Sequence, residues 1–178
     1  VQATIALFRV LRERAPAIVA AMLANAHKSG PAGLLARPEP IGLGLFGGMI
    51  PAGGVMQVPG NGASWAVADL SIDPGYLDAT PEQLGELLFA RGERPIRLVK
   101  TNSQPVLLPW EMSAHAFRGD VPSAAQCHER LARIRGDARF RDNLVIALVN
   151  RFAGKEPSPW PDAGLYSGGF ISREDAMT

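Results

Sequence analysis

Residues 41–70, IGLGLFGGMIPAGGVMQVPGNGASWAVADL, decide the fold of this chain. Glycines punctuate three short apolar runs, Ile41 to Phe46, Val55 to Val58 and Trp65 to Leu70. Short runs of β-branched and aromatic residues split by turn glycines predict the strands of a small sheet or barrel. Asn61-Gly62 accepts positive φ at both turn positions and is the expected hairpin. The competing reading is a flexible glycine-rich linker, but Phe46, Trp65 and the neighbouring valines need burial, which a linker does not supply.

Upstream, Ile5, Leu7, Phe8, Val10 and Leu11 recur at helical spacing from Gln2 to Arg14, with Arg9, Arg12, Glu13 and Arg14 largely on the other side. Pro16 opens a second helix, expected from Ala17 to about His27 and ending near Gly30 and Pro31. The chain begins at Val1 already inside the first pattern, without a cap, and is read as a piece of a longer protein.

Downstream, Thr80 with Gln83 forms a capping box, with Pro81 in the first turn, and opens a helix to about Ala90. Ile96 to Lys100 reads as a strand. Gln104 to Leu108 reads as an edge strand, because Pro105 offers no amide hydrogen. A second capping box, Ser123 with Gln126, starts a helix that Gly136 stops. Asp137 starts another, with Phe140, Leu144 and Leu148 on its apolar side. Pro157 to Pro161 is expected to be an extended connector, and Leu165 to Met177 to begin a last helix at Ser172. The order is helices, a β-rich unit with an inserted helix, then a helical unit, which is an α+β chain.

The 178 residues are 47% hydrophobic and 20% charged, enough for a core without staples. Eighteen basic and 17 acidic residues leave a net charge of +1, which excludes a uniformly basic nucleic-acid coat. By region, residues 1–37 carry +4, residues 38–93 carry −6 and residues 94–178 carry +3. That layout suggests units with different partners, against ordinary scatter on solvated faces. One cysteine, Cys127, excludes a disulfide framework and a cysteine-rich zinc site. No apolar run approaches the roughly 20 residues of a spanning helix and no leader is seen, so a cytoplasmic monomer away from membranes is expected.

Catalytic constellations are missing from the sequence. Asp69, Asp73 and Asp78 lie near strand ends, but scattered acids around turns are ordinarily surface solvation. His27, His115 and His128 have no partner at helical spacing, and Cys127 reads as a small buried hydrophobe. Neither GxGxxG nor GxxxxGK[ST] occurs. No catalytic residue and no metal ligand is therefore assigned. Binding remains: Arg94, Arg97, Lys100 and Asn102 lie on or beside one strand, and the helical unit supplies Arg130, Arg133, Arg135, Arg139 and Arg141 within twelve residues. Two such basic surfaces flanking an acidic unit suit a phosphate backbone, with Trp65, Trp110 or Phe117 as stacking candidates. Arginines that merely solvate a helix are the alternative.

Ile96-Arg97-Leu98-Val99-Lys100-Thr101-Asn102-Ser103-Gln104-Pro105-Val106-Leu107 resembles the P-(I/V)-K-L-V-H-I-N-K-C-P-V-L segment of the bacterial exodeoxyribonuclease I family. Four further stretches are similar in the same order. Val1 to Ala6 resembles V-x-A-T-I-A, Gly44 to Gly47 resembles S-G-M-F-G, and Ser64 to Leu70 covers a strand ending in V-D-L. Cys127, Leu131 and Arg135 resemble C-L-x-N-L-x-x-L-R, and Leu165 to Phe170 resembles L-Y-x-G-F-F. The chain departs from the family at Lys100, Ser103 and Gln104, where a lysine and a cysteine are lost.

The resemblance implies a 3′→5′ exonuclease of single-stranded DNA with a role in DNA repair and recombination. It implies a division into closing helices of a nuclease domain (1–32), an SH3-like domain (33–113) and the start of a helical domain (114–178). The family's DEDD centre, with its Mg²⁺ ions, would lie upstream, so this stretch would grip DNA and be inactive alone. Arg94, Arg97, Lys100, Asn102, Arg130, Arg133 and Arg139 are then the expected DNA contacts. The resemblance also implies an alternative, a docking surface for the acidic tail of single-stranded-DNA-binding protein around Arg12, Arg14 and Met22.

Overall fold

The computed structural model describes residues 2–27 and 29–150. The connector expected at Pro157 to Pro161 and the segment from Leu165 onward lie outside the described residues. The chain divides into two compact units, Val1–Leu148 and Val149–Thr178, and the description below concerns the first.

Five strands, β1 (Ile41–Leu45), β2 (Gly48–Val58), β3 (Asn61–Asp69), β4 (Ile96–Lys100) and β5 (Leu107–Pro109), form one antiparallel sheet. Their order is β4-β3-β2-β1-β5. Helices α1 (Gln2–Arg14), α2 (Pro16–Ala24) and α3 (Gly30–Ala36) precede the sheet, and α4 (Pro81–Phe89) is inserted between β3 and β4. The short α5 (Trp110–Ser113), then α6 (Ala124–Gly136) and α7 (Ala138–Asn150), follow it. The α+β architecture with an inserted helix is as the sequence predicts.

Alternation along the strands divides the sheet into two faces, each with its own core. Ala66, Ala68 and Ile96 pack on one face with Leu84 and Leu88 of α4, Leu131 and Ile134 of α6, and Phe140 and Leu144 of α7. Val67, Val99, Ala52 and Leu43 pack on the other with Leu34 and Leu35 of α3. Both capping boxes form: the Thr80 and Ser123 hydroxyls each accept from the amide of the glutamine three residues on, whose side-chain oxygen in turn accepts from the Thr80 or Ser123 amide. Asp137 caps α7, accepting from the Phe140 amide at 2.8 Å.

Three local expectations change. The β2–β3 turn is Pro59-Gly60, not Asn61-Gly62, because Val58 pairs with Asn61 and Gly60 takes φ +71°. Proline presets the first central position of such a turn and glycine accepts the second, while Asn61 begins β3. The helix expected to run to His27 stops at Ala24, and Gly30-Pro31, read as a stop, instead starts α3. Finally, β2 is continuous through Gly53-Gly54, where two elements approach bare backbone: a Cβ on Gly53 would meet the Leu131 side chain, and one on Gly54 the Leu35 carbonyl.

Candidate nucleic-acid interface

The basic residues fall into two groups, those fixed by the fold and those standing free of it. At the fixed end is Arg135, half-buried on α6, whose Nε donates to Gly54 O at 2.6 Å and whose Nη2 donates to Leu35 O at 2.9 Å. One guanidinium thus ties α6, β2 and α3 together, although desolvation lowers its pKa from the ordinary arginine value. Arg130, a little over one turn earlier, donates through Nη1 to Leu70 O at 2.8 Å and Ser71 O at 3.1 Å, and its Nη2 lies 3.7 Å from Asp73.

Arg97 emerges from β4 on the α3-covered face and lies 3.8 Å from the buried carboxylate of Asp69. That carboxylate also accepts from the Ser71 amide at 3.1 Å and from the Ser71 hydroxyl. The end of β3 therefore gathers Arg97 and Arg130 with Asp69 and Asp73 between them. Arg94 sits just before β4, its Nε donating to Ala90 O at 2.6 Å.

Lys100 is exposed and, three residues from Arg97, belongs to the opposite face of the sheet. Asn102 is exposed beside it on a 3-10 turn, Thr101–Ser103, which is pinned by Thr101 Oγ1 donating to Ala63 O at 3.1 Å and Ser103 Oγ donating to Lys100 O at 2.8 Å. Arg133 and Arg139 are exposed on α6 and α7, and Arg139 lies 3.7 Å from exposed Asp78. Sequence spacing places these residues in two clusters. The structure brings Arg97 and Arg130 to one strand end, separates Arg97 from Lys100 by the sheet, and leaves Lys100, Asn102 and Arg133 as the freest polar groups of the set.

The stacking candidates behave differently. Trp65 packs against the α3-side core with its Nε1 buried and without a partner among the described residues. Trp110 and Phe117 pack against each other with their rings tilted by 55° and their centres 4.9 Å apart. The most exposed aromatic among the described residues is Phe46, which the sequence assigns to a strand; its signal was the following Gly47-Gly48, a turn rather than a strand continuation.

A divalent cation needs several converging donors. Among the described residues no three histidine, cysteine, aspartate or glutamate side chains converge, and Asp69, Asp73 and Asp78 each face an arginine instead. The Mg²⁺ implied by the resemblance thus finds no fitting donor set in these residues, and no chemical step is derived from it. Cys127 is buried, with its thiol pushed up to about 11 by desolvation, which suits a packing role over a nucleophilic one. All three histidines are exposed, and among the described residues no helix is long and apolar enough to cross a membrane.

Solved structures share this fold. A moderately thermophilic exonuclease I from Methylocaldum szegediense matches 99% of this chain at TM-score 0.72 and 25% identity. Over that length the chain shares the fold of exonuclease I. E. coli exonuclease I in complex with single-stranded DNA, in its metal-free form, matches 99% of the chain at TM-score 0.74 and 22% identity; a zinc-bound form of that complex matches equally well. An SSB/exonuclease I structure with an inhibitor gives TM-score 0.73. The chain spans about two fifths of these exonuclease I structures, 40% of the first and 42% of the second. A scan against family models and a search of curated proteins each find no match.

Proposed function

We propose that this chain is the DNA-gripping portion of a metal-dependent exonuclease that degrades single-stranded DNA from its 3′ end. The observation that supports the reading is its match, over 99% of its length, to an exonuclease I solved on single-stranded DNA. In this reading residues 1–32 close a nuclease domain, 33–113 form the SH3-like domain and 114–178 begin the helical domain. The carboxylates and Mg²⁺ of the reaction belong to the nuclease domain, so the 178-residue chain binds DNA without cutting it.

Within the site, Lys100, Asn102, Arg133 and Arg139 meet the strand directly, since their side chains reach solvent. Arg97 lies across the sheet from Lys100, so Arg94, Arg97 and Arg130 supply a second charged stretch around the end of β3, fixed to Ala90, Asp69 and Leu70 with little freedom left to lose. The test is oligonucleotide binding by the chain against salt. Reversing one contact, Lys100→Glu, is expected to weaken binding and flatten the logarithmic salt slope by about 0.7. Unchanged affinity and slope remove Lys100 from the path, and a parent chain that binds no single strand ends the reading. In-frame coding sequence upstream of Val1 that carries an acidic nuclease motif supports the enzymatic parent, whereas a start codon there overturns it.

The second reading is a docking surface for the acidic tail of single-stranded-DNA-binding protein. It is favoured by the SSB/exonuclease I structure among the matches, and by exposed Arg12 and Arg14 beside exposed Phe8 and Met22. Competition between an acidic, phenylalanine-ended peptide and an oligonucleotide separates the two.

A further inference from the structure

Phe46 is the most exposed large apolar side chain described, with a relative exposure of 107%. Its position is set by the β1–β2 hairpin. Leu45 pairs with Gly48, leaving Phe46-Gly47 as a two-residue turn in which Gly47 takes φ +92°. A side chain is strained at that second position, so the turn holds phenylalanine first and glycine second, with the ring at the tip.

Next to Phe46 along the chain, two glycines leave room for a cation. A Cβ on either Gly47 or Gly48 would collide with the Arg118 guanidinium, which lies against bare backbone there. The Arg118 backbone is anchored behind it: its amide donates to Met49 O at 3.2 Å, and Phe117 bridges Met49 while its ring packs at a tilt against Trp110. Among the described residues its guanidinium has no carboxylate within ion-pair distance, unlike those of Arg97, Arg130 and Arg139. An exposed ring on the turn and a cation against the turn's glycines, unpaired among the described residues, therefore meet at one hairpin.

We infer that Phe46 and Arg118 form a docking point for one unpaired nucleotide, the base stacking on the Phe46 ring and its phosphate meeting the Arg118 guanidinium. The inference rests on the single-stranded-DNA reading above and deepens it, adding a stacking contact to a path otherwise made of charge. An aromatic face accepts any base, while the adjoining cation fixes the backbone. The exposed apolar ring and the positive charge complement the two halves of a nucleotide. Displaying the ring on a tight hairpin leaves little ordering entropy to lose on binding.

The test uses the full chain and an oligothymidylate with and without an abasic position. Phe46→Ala is expected to weaken binding about tenfold, Phe46→Trp to restore it with tryptophan quenching on addition of DNA, and Arg118→Gln to flatten the salt slope by about 0.7. The loss on Phe46→Ala should shrink on the abasic strand. Because Phe46 touches no core, melting of these variants should match the parent. If Phe46→Ala and Arg118→Gln bind like the parent while Lys100→Glu weakens binding, the docking point is refuted and the DNA reading stands. An equal loss on normal and abasic strands also refutes the stacking, and a parent chain that binds no oligonucleotide overturns both.

Discussion

Two helical pairs frame the sheet, and the same sequence periodicity announces both. In α6–α7, Cys127, Leu131, Ile134, Phe140 and Leu144 are completely buried. In α1–α2 no residue is buried, and Leu7 and Leu11 remain 59% and 44% exposed. The difference lies opposite the helices. The backbone of Gly53 offers α6 a surface with no side chain in the way, and α4 and the sheet close over α7. An amphipathic pattern thus specifies a helix and the face it would bury, but the cover is supplied by residues far away in sequence.

Cutting into the covered pair gives the largest effect. Phe140 is fully buried, its ring 5.7 Å from that of Tyr76, so Phe140→Ala is expected to cost about 3–5 kcal/mol by chemical denaturation. A cost below about 1 kcal/mol would mean that the two pairs differ less than their burial suggests.

Legibility in the sequence follows the same division. Thr80 with Gln83 and Ser123 with Gln126 are readable because cap and partner lie three residues apart. The true hairpin turn was also local, in Pro59-Gly60, but the stronger stereotype of Asn61-Gly62 drew the reading two residues too far. Arg135 was legible as a cation and illegible as a clamp, since its acceptors on Gly54 and Leu35 are 81 and 100 residues away. The basic stretch therefore looked uniform when its members have separate duties. Lys100 and Arg97 likewise look like one cluster until strand alternation puts them on opposite faces.

The second expected effect tests that clamp. Arg135→Leu leaves the carbonyls of Gly54 and Leu35 without their donor and should cost about 2–3 kcal/mol. Arg133, two residues earlier and exposed, serves as the contrast: Arg133→Glu should change stability by no more than about 0.5 kcal/mol. It should nevertheless weaken oligonucleotide binding several-fold if α6 lines the DNA path. Equal stability losses for the two would dissolve the distinction between fixed and free arginines.

Acidity inside the covered pair supplies a smaller effect with a definite sign. Burial raises the Cys127 thiol from 9.0 to about 11, so the unfolded chain releases this proton before the folded one does. Stability from this group is complete below about pH 9 and is lost as pH rises toward 11. Tyr76 is also raised by burial and acts in the same direction at higher pH. The melting temperature should fall across this window, and Cys127→Ala should flatten the first part of the fall. A slope unaffected by Cys127→Ala would assign the loss to Tyr76 and other groups.

The smallest effect belongs to the open pair and is the sharpest test of it. Leu7 has most of its surface in water in the folded chain, so Leu7→Ser removes little buried area and should leave folding stability within about 0.5 kcal/mol of the parent. Contiguous exposed apolar residues also drive association, and Ile5, Leu7, Phe8 and Leu11 share one short helix. The same substitution should therefore lower self-association at high concentration, read by sedimentation, while circular dichroism stays unchanged. A loss above about 2 kcal/mol would instead show that the face of α1 is covered in solution, removing the contrast with α6–α7.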